Sequence, residues 1–290
     1  MKNLRNGINP PVGSMISAAI ALFICACAAP EETTAEPALE QQLLSLDLTN
    51  NEDNARAFLL TRGSLNPEEE VIFYWKGEIL QIEQPDPNSL GKNDFRSPIL
   101  KFDGFNVARF EPTPDGTRMI SREITVYRNA FGKIIHCWIS GETPTPVRIE
   151  HVANDPVNFT IGSADYDIIG DQVVFKANIS MDYPSPLPMN AYPKYSTGNT
   201  YQSTELFNFY VSQIDLRDPD AQTVPVEISW TRVGQPLPWM QIDPARGVQL
   251  VYHARGRKVL EGWRGLPEDL RTFVQENHPK FAVAPATDES

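Results

Sequence analysis

A chain of 290 residues with 41% hydrophobic and 10% aromatic side chains holds ample material for a packed core, which excludes a disordered protein. Its formal net charge of -12 repels nucleic-acid phosphates and anionic lipid headgroups, so no nucleic-acid partner is expected. Two of the three cysteines, Cys25 and Cys27, lie near the N-terminus; Cys137 is left as the one thiol of the folded part, and no internal disulfide is expected there.

Lys2 and Arg5 precede an uncharged run from Met15 to Ile24, which closes on Cys25-Ala26-Cys27-Ala28-Ala29. A basic start, a short apolar run and a small-residue zone make a bacterial export signal. The run is far shorter than the roughly twenty residues a spanning helix needs. Ile24-Cys25-Ala26 before Cys27 has the form of a lipobox, although Ala26-Cys27-Ala28 also suits an ordinary signal peptidase. The reading followed is a signal peptide over 1–26 and a lipid-attachment region and tether over 27–48, with Cys27 as the attachment residue. A single β-rich domain follows over 49–283, then a disordered acidic tail over 284–290. That address is the cell envelope, periplasmic or outer-membrane, with membrane contact only through the N-terminal lipid.

Pro30 to Pro37 is acidic and aperiodic, as a tether would be. Ala38–Leu48 and Asn51–Leu60 read as helices, with Asn50 or Asn51 as N-cap and Arg62-Gly63-Ser64 as the stop. From Glu70 the period changes to two. Val71, Phe73 and Trp75 alternate with Ile72 and Tyr74, and Lys76-Gly77-Glu78 is expected to turn the chain into Ile79–Glu83 as a hairpin. Further strands are expected over 99–110, 117–128, 133–139, 147–152, 157–161, 172–181, 204–213, 226–233 and 248–255, punctuated by turn formers such as Phe131-Gly132 and Gly170-Asp171. The aperiodic stretch from Pro184 to Thr200 is a candidate lid. Pro267 opens a C-terminal helix that ends before His278-Pro279. Many short strands without intervening helices predict a mainly β fold: an antiparallel β-barrel or barrel-like sandwich, with short N-terminal helices and one C-terminal helix.

Two segments carry a family resemblance. One is Trp138 followed by Val147-Arg148-Ile149-Glu150-His151-Val152-Ala153-Asn154-Asp155-Pro156-Val157-Asn158. The other runs from Trp239-Met240-Gln241-Ile242 to Leu250-Val251-Tyr252-His253-Ala254-Arg255-Gly256-Arg257-Lys258, then to Asn277-His278-Pro279. They resemble the exported bacterial and fungal family known as domain of unknown function 1838. Where relatives tend to carry an Asn-Pro pair and a Thr-Gly turn, this chain has Ile139-Ser140-Gly141-Glu142-Thr143. The resemblance implies one domain and an export context, and brings no reaction and no catalytic residues.

The chain lacks a Gly-x-Ser-x-Gly elbow, a His-Glu-x-x-His motif, a Cys-x-x-Cys motif in the folded part and a phosphate-cradling glycine loop. Common serine hydrolases, zincins and nucleotide enzymes are therefore disfavoured. What remains is polar residues on apolar strand faces. His151 shares a face with Val147 and Ile149, and Asp155 follows, so the two form a minimal general-base pair. Glu205 faces with Phe207, Phe209 and Val211, and its desolvated carboxyl suits a general acid. Against these stand a buried structural histidine, a turn aspartate and a strand-end glutamate, which are the commoner outcomes. Glu123, facing with Met119 and Tyr127, is accounted for by a cross-strand salt bridge. His136, His253 and His278 have no ligand spacing, so neither metal nor organic cofactor is expected. Trp75, Trp138, Phe175, Phe207, Phe209 and Trp230 are expected to line an apolar pocket, with Met189, Tyr192, Tyr195 and Tyr201 closing it. The function expected is therefore binding of a small, partly apolar molecule; the alternative is a cofactor-independent hydratase, isomerase or hydrolase using His151, Asp155 and Glu205.

Overall fold

The computed structural model describes residues 46–83, 97–114, 116–140, 144–185 and 189–286. The leader, Cys27, most of the helix expected over Ala38–Leu48 and most of the acidic tail lie outside these residues; Leu46 to Leu48 form no helix.

Helix α1 (Asn51–Arg62) begins as its sequence dictates. The Asn50 side chain accepts from the Glu52 and Asp53 amides, Glu52 and Asp53 favour the positive end of the helix dipole, and the Gly63 amide closes on the Leu59 carbonyl at 2.7 Å. Strands follow as β1 (Val71–Ile82), β2 (Leu100–Thr113), β3 (Gly116–Arg128), β4 (Cys137–Trp138), β5 (Val147–Arg148), β6 (Val152–Asn154), β7 (Phe159–Ile161), β8 (Asp165–Ile169), β9 (Gln172–Pro184), β10 (Thr200–Ser212), β11 (Glu227–Gly234) and β12 (Gln249–Lys258). Short α2 (Gln213–Arg217) follows β10, and α3 (Glu268–Asn277) follows β12. Every strand pairing is antiparallel. One sheet has the order β6-β3-β2-β1-β12-β11-β10-β9-β8, with β7 also on β3; β4 and β5 make a separate ribbon.

The hairpin expected at Lys76-Gly77-Glu78 does not form. β1 runs straight through, pairing β2 on one side and β12 on the other. Gly77 serves close approach rather than a turn: a Cβ there would stand 2.2 Å from the His253 carbonyl oxygen. Gly104 and Gly256 do the same, and both lie directly across from Trp75: a Cβ would stand 2.2 Å from the Ile124 and Tyr74 carbonyl oxygens, respectively.

The mainly β, antiparallel fold expected is found, but of the barrel and barrel-like sandwich forms the closed barrel does not form among the described residues. The sheet is open, with β7 and β8 on opposite margins. Yet only residues 162–164 link those margins, so the sheet curls until they lie within about 14 Å along the chain. Helix α1 lies against that link. It packs on β7 and β10, its Phe58 ring meets Phe175 at 5.4 Å and Phe209 at 5.9 Å, and Asn54 both donates to the Ala164 carbonyl and accepts from its amide.

Alternation sorts the residues onto two faces. The inner face carries the larger core: Phe73, Trp75, Phe102, Tyr127, Phe175, Phe209, Trp230, Tyr252 and α1. The outer face of β1, β2 and β3 is covered by α3, where Leu270, Phe273 and Val274 pack on Ile72, Phe105, Val107, Ile124 and Val126. β2 and β3 are therefore buried on both sides along most of their length, polar residues such as Asp103, Asn106, Arg122 and Arg128 included.

Candidate functional site

The inner face carries an ion pair on an aromatic floor. Register aligns Glu205 with Arg232 and Arg232 with Tyr252, one row beyond Phe207, Trp230 and Ala254. Arg232 Nη1 stands 3.6 Å from Glu205 Oε1, and both side chains are only 13% and 12% exposed. Trp230 Nε1 donates to Glu205 Oε2 at 3.1 Å, and Arg232 Nη2 donates to the Tyr183 hydroxyl at 2.9 Å. The guanidinium lies over the rings of Tyr201 and Tyr252. Tyr201 is fixed by donating to the Gln235 carbonyl at 2.8 Å.

Burial raises the Glu205 carboxyl above its ordinary range, and Arg232 and the Trp230 bond offset this only in part. Glu123, on the inner face of β3, is pushed up to about 7 by burial and then by the charge of Glu205. Arg232, the bond from Asn154 and Arg62 pull the other way. Glu123 does not form the cross-strand salt bridge that sequence suggested; its Oε1 accepts from Asn154 Nδ2 at 3.0 Å. Two carboxyls therefore feel each other across the inner face, each retaining its proton more readily than an exposed one.

Trp75 Nε1, Arg232 Nε and Ser203 Oγ have no hydrogen-bond partner among the described residues, nor do Arg62 Nη1 and Trp239 Nε1 in the same core. Buried polar atoms left unpaired are rare and cost about 1–3 kcal/mol each.

Of the aromatic residues expected to gather, Trp75, Phe207, Phe209 and Trp230 form one chain of ring contacts. Trp75 meets Trp230 at 5.9 Å, and Phe207 stacks on Trp230 and Phe209 at 6.0 Å each. Phe175 joins through Phe58. Trp138, on the β4–β5 ribbon, meets the same core from another side through Trp239 at 6.3 Å, with its Nε1 donating to the Met240 carbonyl at 2.9 Å. Of the proposed lid, Tyr201 is a buried β10 residue, Tyr192 packs against the core, Tyr195 is held by Lys194, and Met189 remains exposed.

His151, Asp155 and Glu205 are not brought together. Asp155 is taken by Arg122 Nε at 3.1 Å and Lys280 Nζ at 2.6 Å, which hold its carboxyl below the usual range against the effect of burial. His151 Nδ1 instead accepts the Tyr127 main-chain amide at 3.2 Å, and its ring lines a surface cleft between the ribbon and α3. His136 and His278 line the same cleft, while His253 lies beside Thr231 on the outer side of β12.

Sequence reasoning missed Arg232, Tyr183, Tyr252 and Ser203. A signal for Arg232 was present: Ile228, Trp230 and Arg232 alternate, so a charge sits at an inward position. The tyrosines become visible only once register is known.

No curated protein matches this chain. The family model described as protein of unknown function (DUF1838) matches residues 68–290, which span β1 to the C-terminus and both segments of the resemblance, and the chain belongs to that family.

Proposed function

We propose that this protein binds a small, partly apolar molecule carrying an oxygen acceptor on the inner face of the curled sheet. The observation that carries the reading is the set of unpartnered donors, Trp75 Nε1, Arg232 Nε and Ser203 Oγ, on the sheet face that bears the Glu205–Arg232 pair. A carbonyl or hydroxyl oxygen would satisfy them, while Phe207, Trp230 and Tyr252 take the apolar body. The N-terminal signal supports an exported, lipid-anchored protein with Cys27 as the attachment residue, so the guest would be met in the envelope. Native mass spectrometry of the full chain with a panel of aromatic ketones and phenols tests this. A one-to-one adduct is expected, weakened about tenfold in Trp75→Phe, which removes the indole N–H and keeps much of the ring. A panel that leaves the wild type bare, or adducts indifferent to Trp75→Phe, rejects the reading.

A second reading rests on Glu123, whose carboxyl titrates near neutrality beside Glu205. A buried carboxyl that titrates near neutrality suits cofactor-independent acid–base chemistry such as hydration or hydrolysis. The same spectra separate the two, because turnover releases a guest of altered mass.

A further inference from the structure

The cleft between the β4–β5 ribbon and α3 has a volume of about 450 Å³, within the range of small-molecule sites. Its walls include His136, Arg148, Glu150, His151, Phe273 and His278. The ribbon is pinned, since Ile149 N donates to the His136 carbonyl at 3.0 Å and Trp138 is tied to Met240.

His151 decides what this cleft can do. β6 leaves β3 at the Val152–Thr125 pair, so the Tyr127 amide has no strand partner on that side. His151 Nδ1 takes the place of the missing carbonyl and accepts that amide at 3.2 Å. A main-chain N–H can only donate, so Nδ1 carries a lone pair and the proton of the neutral ring sits on Nε2. Nε2 has no partner among the described residues. The ring is held in place by stacking on Tyr127 at 5.9 Å and by an edge contact with Phe273 at 5.0 Å.

This tautomer excludes two roles. A general base needs a free lone pair, and here the Nδ1 pair is engaged and Nε2 is protonated. A metal-bound histidine donates its other N–H to an acceptor; with a metal on Nε2, the Nδ1 proton would point at the Tyr127 N–H. What fits is an oxygen that accepts from an uncharged imidazole. Burial, His136, His278 and Arg148 hold the ring neutral, with a pKa of about 4. At the lip, the Arg148 side chain is 86% exposed and lies 3.9 Å from Glu150, a loose pairing that leaves it able to meet an anion. Phe273 and Ile149 supply apolar wall.

We propose that this cleft binds a small carboxylate with an apolar body, His151 Nε2–H and the Arg148 guanidinium sharing its oxygens. Benzoate is the probe. In ¹⁵N-edited spectra of the full chain at neutral pH, His151 should show the Nε2-protonated neutral tautomer. Millimolar benzoate should shift its Nε2 signal and the Phe273 ring signals saturably. Arg148→Gln, a change at an exposed position, should weaken binding about tenfold, and His151→Phe should abolish it. An Nδ1-protonated or charged His151, cleft signals unmoved by benzoate, or unchanged affinity in Arg148→Gln overturns the proposal.

Discussion

Glu123 and His151 pull the pH dependence of stability in opposite directions. His151 has an ordinary value of 6.5 and a folded value of about 4, so between them the unfolded chain takes a proton the native one refuses. Stability is therefore lost as pH falls from 6.5 towards 4. Glu123 has an ordinary value of 4.5 and a folded value of about 7, so the native carboxyl keeps a proton the unfolded chain has released. Stability is then lost as pH rises from 4.5 towards 7. Each effect is at most about 3 kcal/mol, less where solvent screens it. Urea midpoints of the wild type should change little across the shared interval. Glu123→Gln should leave a profile that climbs with pH, and His151→Gln one that declines. Matching slopes in the two variants would remove the basis for both assignments. A third buried group, Lys258, donates to the Leu60 and Gly63 carbonyls at 2.6 and 2.8 Å and to the Thr223 hydroxyl at 3.0 Å. It fixes the C-terminal end of α1, and burial followed by the Arg62 charge pulls its pKa well down.

At the level of elements, local chemistry was legible where it was sufficient. Asn50 and Gly63 bounded α1, and alternation located β2, β3, β9, β10, β11 and β12 to within a few residues. Gly77 misled because turns and close approaches both select glycine, and only the neighbouring strand distinguishes them. Gly77→Ala would drive a Cβ onto the His253 carbonyl, so a loss of about 3 kcal/mol or more is expected in chemical denaturation. A turn glycine in open space would lose far less. β8 was missed because Asp165-Tyr166-Asp167 is polar and the strand is a margin wetted on its exposed side. In the candidate site, alternation put Glu205, Phe207, Phe209 and Val211 on one face, as found. His151 and Asp155 were paired because they are close in sequence, but β6 carries the chain onward and delivers Asp155 to Arg122 and Lys280.

Over the whole molecule, one line of the wall is held by side chains instead of a hydrogen-bonded ladder. Along it, Asn54, Phe58 and the 162–164 link do what strand pairing does elsewhere. Fewer interactions must break to open it, so amide exchange should be faster in α1 than in β12, which is paired on both sides. Asn54→Ala, which removes both bonds to Ala164, should widen that difference; protection in α1 equal to that of β12 in both proteins would show that helix and sheet open only together. The free margin at β8 exposes Ile168 and Ile169, while Asp165, Asp167 and Lys176 supply charges beside it that discourage strand addition.

A cylinder laced all the way round has a bore fixed by its strand number and can admit cargo only through its mouths. Here one line has no rungs and is held by a single twelve-residue helix and a three-residue link, so a change along it leaves every rung of the main ladder intact. Substitutions along the buried stripe of that helix would therefore loosen or tighten this one seam without touching the wall.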